Sequence, residues 1–205
     1  MAVSDLSFKL YTDVGLTTSF TGLYQLSFKS DLSDSQQDMQ LWFGSNTASR
    51  ILQTTASPGT NPILLTPTDI STKWTAGGTA FSLGNIIEPT VANGYIYICT
   101  TAGTGASVTE PTWPTAISST VIDGTAVWTC YAPRHPTTEI KLATTSGGLS
   151  SATAGAALSL GTSLSSGVSN AVNIWIRVTN TITTINNNTG YPTLGININS
   201  VQEIG

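Results

Sequence analysis

Residues able to do chemistry crowd the middle of this 205-residue chain. Trp74, Tyr95, Tyr97, Trp113, Trp128 and Tyr131 fall within about 60 residues. Aromatic rings at that density serve one of two ends. Exposed, they stack on the apolar C–H face of a sugar ring. Buried, they give a small β module enough apolar area to hold a core. In the stretch 95–99, Tyr95, Tyr97 and Cys99 alternate with Ile96 and Ile98. The isoleucine face is expected inside, leaving the tyrosines partly accessible. Trp113, set between Thr112 and Pro114, is the ring to expect at the surface if any is exposed. Trp113, Tyr95 and Tyr97 are therefore the candidate carbohydrate or surface contacts, with core building as the competing role.

Other reactive groups are few. Cys99 and Cys130 lie in the same segment and form a candidate disulfide, closing a loop of about 31 residues. In chain-entropy terms it is worth about 3–4 kcal/mol. Synthesis in a reducing cytoplasm favours free thiols first, with oxidation after release. Two cysteines and the single histidine, His135, do not complete a structural zinc set. His135 sits between Arg134 and Pro136 and reads as a joint residue; no G-x-S-x-G elbow accompanies it. Glu88, Glu110, Asp123 and Glu139 are the acids available for a glycosidase pair. Glu88 and Glu110 each precede a proline, which suggests turns. Asp31, Asp34 and Asp38 lack EF-hand spacing and read as turn caps. Gly103-Thr-Gly105 is too short for a nucleotide-binding loop. No catalytic, metal or cofactor set is expected, and the reading is non-enzymatic.

The elements that must position these residues are strands. Alternation marks 6–10, 23–29, 39–43, 50–54, 138–143, 171–181 and 193–201. In 171–181, Val172, Ile174, Ile176 and Val178 take one face and Asn173, Trp175 and Arg177 the other. Residues 61–66, bounded by Pro62 and Pro67, suggest a short or edge strand. The best helical candidate, 149–160, contains Gly155 and many Ser/Thr, so a single turn is expected. In the middle, 84–88, 94–100 and 120–131 read as strands, with Asn93-Gly94 and Asp123-Gly124 as hairpin signals. Regularly spaced short strands with turn signals argue for an all-β, β-sandwich architecture, Ig-like or jelly-roll-like. Residues 1–72 and 135–205 together approach a normal domain size, and neither alone has strands for two sheets. The expectation is one sandwich built from both termini, with a small β module, 73–134, inserted. Its joints are Pro67-Thr-Asp69 and Pro133-Arg-His-Pro136.

Composition bounds the function. Charged residues make up 9% of the chain, against roughly 25% in ordinary globular proteins. Thr (35) and Ser (24) take their place. Seven Lys and Arg against eleven acids, net charge −4, argue against a nucleic-acid partner. No apolar run approaches a bilayer span, and the start, Met1 to Leu10, shows no secretory pattern. Five Trp, six Tyr and five Phe suffice for a core, which argues against disorder. The segment Met1 to Asp5 is a candidate arm. A hydroxyl-rich, weakly charged surface suits side-by-side packing in a large assembly.

Trp74, Phe81, Gly84, Ile87 and Asn93-Gly-Tyr-Ile-Tyr97 resemble the small carbohydrate-binding modules of the chitin-binding type. Thr100-Thr-Ala-Gly-Thr-Gly105, Glu110-Pro-Thr-Trp-Pro114 and Val121-Ile-Asp-Gly-Thr-Ala-Val-Trp128 are similar to a module common in tailed-bacteriophage virion proteins. Phe8-Lys-Leu-Tyr-Thr-Asp13 and Ala171-Val-Asn-Ile-Trp-Ile-Arg-Val-Thr179 look like text from the same source. The resemblance implies a virion structural protein, made in the host bacterial cytoplasm and working in the virion. It would be a capsid decoration (cement) protein or a tail protein. Implied partners are the major capsid protein or other virion proteins, further copies of itself (a trimer at threefold capsid positions) and a host glycan. Neither nucleic acid nor membrane is implied.

Overall fold

The computed structural model describes residues 6–22, 24, 26–29, 31–182 and 194–205. The N-terminal part supplies β1 (Lys9–Tyr11), β2 (Gln36–Gly44), β3 (Ile51–Thr54) and β4 (Leu64–Asp69). The middle supplies β5 (Ala80–Phe81), β6 (Ile86–Ile87), β7 (Tyr95–Thr101), β8 (Gly103–Thr104), β9 (Thr120–Asp123) and β10 (Ala126–Pro133). The C-terminal part supplies β11 (Ile140–Ala143), β12 (Leu158–Ser159), β13 (Ser163–Ser165), β14 (Val172–Thr179), β15 (Leu194–Ile198) and β16 (Val201–Ile204). Among the described residues there is no α-helix, only short 3-10 turns such as Gly147–Ser150. The protein is mostly β, in several small antiparallel sheets.

The chain divides into two compact units. Unit 1 takes both ends of the sequence: residues up to Thr68, Pro136–Thr181 and Leu194–Gly205. Its largest sheet has the order β1-β2-β14-β11. β14 runs along β2 from Val172 opposite Phe43 to Thr179 opposite Gln36. The alternation of 171–181 is realised here: Ile174 and Ile176 are buried and Asn173 is exposed. Two three-stranded sheets follow, β12-β4-β15 and β13-β3-β16. One aliphatic core joins all three sheets. Leu41, Phe43, Ile140, Leu142, Ile174 and Ile176 from the first meet Leu52, Leu65 and Leu164 from the others.

Three local expectations are corrected. The described residues of 23–29 form no strand, although Leu26 and Phe28 stay half-buried beside exposed Ser27 and Lys29. They have the right alternation but no ladder partner. β4 is the centre of its sheet, not an edge. It tolerates Pro67 because the ladder to β12 covers only Leu64 and Leu65, so no bond is lost on that side. Residues 193–201 become two strands, broken after Ile198. The candidate arm at 1–5 lies outside the described residues.

Unit 2 comprises Asp69–His135, with Ile182. Its main sheet has the order β6-β7-β10-β9 and is accompanied by the β5-β8 pair. β9 and β10 form a hairpin at Gly124-Thr125, Ala126 opposite Asp123. Gly124 has φ +62, and a Cβ there would lie 2.2 Å from Thr104 O. Only glycine fits that backbone approach. The core is aromatic: Trp74, Tyr97 and Trp128 with Ile87, Cys99 and Cys130. β10 alternates strictly, burying Ala126, Trp128, Cys130 and Ala132.

Candidate functional site

Pro89, Val91, Asn93, Glu110, Pro111 and Trp113 line a shallow groove of about 320 Å³ on unit 2. Its floor is set by the aromatic core. The Trp113 ring lies 4.5 Å from Tyr97 and 6.1 Å from Trp128, the latter edge-on. Its indole N–H donates to Glu110 Oε1 at 2.8 Å. The same oxygen accepts the Thr90 amide at 2.8 Å. The Glu-Pro-Thr-Trp spacing thus turns the carboxylate back onto the ring three residues later. Glu110 Oε2 carries no hydrogen bond among the described residues.

The loop between β6 and β7 forms the opposite wall. Asn93 holds it from within: its Oδ1 accepts the Tyr95 amide at 3.1 Å and its Nδ2 donates to Tyr97 Oη at 2.7 Å. Tyr97 Oη donates onward to Pro114 O at 2.7 Å. Gly94, at φ +89, ends the loop, and its carbonyl accepts the Arg134 amide at 2.9 Å. Asn93-Gly94 therefore closes a seven-residue connection instead of forming a two-residue hairpin.

The loop's other end is fixed by a closed ring of four charges. Arg134 reaches Glu88 Oε1 at 2.9 Å and Asp69 Oδ2 at 2.8 Å. Lys73 reaches Asp69 Oδ2 at 2.6 Å and also pairs with Glu88 Oε2. Glu88 is wholly buried, so both its oxygens need these partners. Backbone bonds reinforce the ring: the Trp74 amide donates to Glu88 O and the Glu88 amide to Thr72 O, each at 2.8 Å. Burial raises the Asp69 carboxyl, but hydrogen bonds from Lys73 and Ser71 and the Arg134 charge outweigh it. They hold Asp69 at about 2, below its ordinary 3.8. Burial lowers Lys73, yet its two carboxylate partners bring it above its ordinary value.

A second buried acid holds the core. Asp123 is 1% exposed. Its Oδ2 accepts the Trp74 and Trp128 indole N–H groups at 3.0 and 3.3 Å, and its Oδ1 accepts the Ala106 amide at 2.7 Å. Gly105 permits this, since a Cβ there would lie 2.9 Å from Asp123 Oδ2.

The sequence-derived candidates divide. Trp113 lies half-buried on the groove wall. Tyr95 is half-buried and packs against the core. Tyr97 is corrected: it is wholly buried, because its face of β7 is the one turned to Trp113, Trp128 and Cys130. Ile96 is equally buried, so both faces of β7 are covered at this point. Cys99 and Cys130 are buried free thiols. They are offset across the ladder, Cys99 opposite Trp128 and Cys130 opposite Tyr97. Burial pushes both thiols up, towards the protonated form. Asp31 caps a turn through the Ser33 amide, whereas Asp38 pairs with Arg177 instead of capping. No group of three or more metal-ligating side chains occurs among the described residues.

The prolines after Glu88 and Glu110 mark both as turn residues, and no local pattern names the partners of Glu88. The Glu110 signal was the three-residue spacing to Trp113. Asp69 and Arg134 stand at the two joints in the sequence, but their contact joins residues too far apart for any local pattern to encode it.

Chemically, the groove offers an oriented indole, apolar walls from two prolines and a valine, and one unused carboxylate oxygen. No protein-family model, curated protein or solved structure matches the chain.

Proposed function

We propose that this chain is a non-enzymatic structural protein of a tailed-bacteriophage virion, most simply a capsid decoration (cement) protein. In this reading unit 1 is a β-sandwich that packs onto the major capsid protein, as a trimer, and the insert points outward. The observation that carries it is the pairing of a charge-poor, hydroxyl-rich all-β body with a second unit whose two chain ends are joined, Asp69 to Arg134, at 2.8 Å. Such a unit can be carried at one site of a host fold without disturbing it. The virion-like text of both parts supports the same reading. Quantitative mass spectrometry of purified virions tests it. Hundreds of copies per particle are expected, and absence from virions overturns it.

The groove favours a second reading, a tail component whose insert holds host-surface carbohydrate. Stacking of a pyranose on Trp113, beside a hydrogen-bonding carboxylate, is the chemistry such a role needs. A few to dozens of copies per virion, with glycan binding lost in Trp113→Ala, would select it over capsid decoration.

A further inference from the structure

We propose that the groove discriminates by charge: it takes a neutral or amino-bearing pyranose and rejects acidic sugars, with Glu110 as the specificity-determining residue. This assignment rests on the carbohydrate reading of the groove.

The bonding capacity left in the groove is mainly that of an acceptor. Glu110 Oε1 is filled by Thr90 and Trp113, while Oε2 has no partner among the described residues. Asn93 uses its oxygen and one amide hydrogen internally, leaving one N–H and one lone pair. Opposite Glu110 Oε2 a ligand must present a donor, which a hydroxyl or ammonium group supplies and a carboxylate does not. The charge balance points the same way. The two Lys and Arg side chains of unit 2, Lys73 and Arg134, are both committed to Asp69 and Glu88. An acidic sugar would meet Glu110 with no free cation to offset it.

The remaining surface suits a ring with an apolar face. The bond to Glu110 and the contact with Tyr97 fix the Trp113 plane before any ligand arrives. That removes much of the ordering cost of binding. An ammonium over the indole gains cation–π attraction as well. About 320 Å³ sits at the small end of ligand sites, so one or two sugar rings and modest affinity are expected.

The test follows the Trp113 indole N–H resonance of the full chain on titration with three oligosaccharides of equal length. These are a neutral glucan, a glucosamine oligomer and an oligogalacturonate. The neutral and amino oligomers are expected to shift the resonance, and the acidic one is not. In Glu110→Gln the acidic oligomer should begin to bind, while the glucosamine oligomer weakens by about tenfold, the loss of one charge-assisted bond. Unchanged remaining indole resonances report an intact core in that variant. If no saccharide shifts the resonance, the carbohydrate reading fails and this assignment with it. If the galacturonate binds as well as the glucan, or Glu110→Gln leaves the ranking intact, carbohydrate binding stands and charge discrimination is overturned. Binding of a lysine-rich peptide but of no sugar would also overturn both.

Discussion

Unit 1 and unit 2 solve the problem of a core differently. Unit 1 packs Leu, Ile and Phe from three sheets into one aliphatic cluster. Its stability is spread over many interchangeable methyl groups, each removed from water. Unit 2 is smaller and fills its interior with Trp74, Tyr97 and Trp128. Indole and phenol rings bring polar edges inside, and these must be satisfied. Asp123 serves two indoles, and the Asn93–Tyr97–Pro114 chain serves the phenol. A small module can thus gain core area from large rings only by burying acceptors with them. The residues that do this are few and singly important.

The comparison is most sharply broken at Asp123. Asp123→Ala removes the acceptor of two buried indole donors and of the half-buried Ala106 amide and should cost about 4 kcal/mol. Hydrogen exchange should show amides of β7, β9 and β10 deprotected while those of β2 and β14 stay protected. Equal loss in both units would mean that they do not fold as separate cores. The converse probe is Ile174→Ala, expected to cost about 3 kcal/mol and to deprotect β2 and β14 alone. Acid sharpens the contrast next. The Asp69 carboxyl is held at about 2 against 3.8. Its contribution is full above pH about 4 and lost as pH falls towards 2, about 2 kcal/mol in all. Unit 2 should lose thermal stability over that window, and Asp69→Asn should flatten the dependence. The smallest effect is expected on the outer face of unit 1. There Arg177 grips Asp38 through two 2.7 Å bonds, yet both side chains are partly exposed. Asp38→Asn should cost under about 1 kcal/mol in a denaturant titration. A larger loss would place polar contacts on a par with the aliphatic core.

Legibility in the sequence followed the same divide. β14 could be read in full, because one face is aliphatic and the other polar. The stretch 95–99 misled, because Ile96 and Tyr97 are both buried and alternation between two apolar faces does not say which is inside. β12 and β13 passed unseen, since Leu158, Ser159 and Ser163 to Ser165 carry little β-branched character. At the groove, Trp113 was visible as a candidate, and its partner Glu110 lay three residues away. Glu88 was not readable as a hub. Its partners come from Lys73 and Arg134, 15 and 46 residues distant, and no local pattern encodes such a meeting. Asp123 is legible as a hairpin residue and as an available acid; its bonds to Trp74 and Trp128 arise from tertiary packing.

The contact between Asp69 and Arg134 has a consequence for ancestry. A segment that starts and finishes at one point can be gained, lost or exchanged by recombination, because a short turn closes the gap it leaves. Selection can then act on the groove-bearing segment as a replaceable part, while the fold that carries it stays under separate constraint.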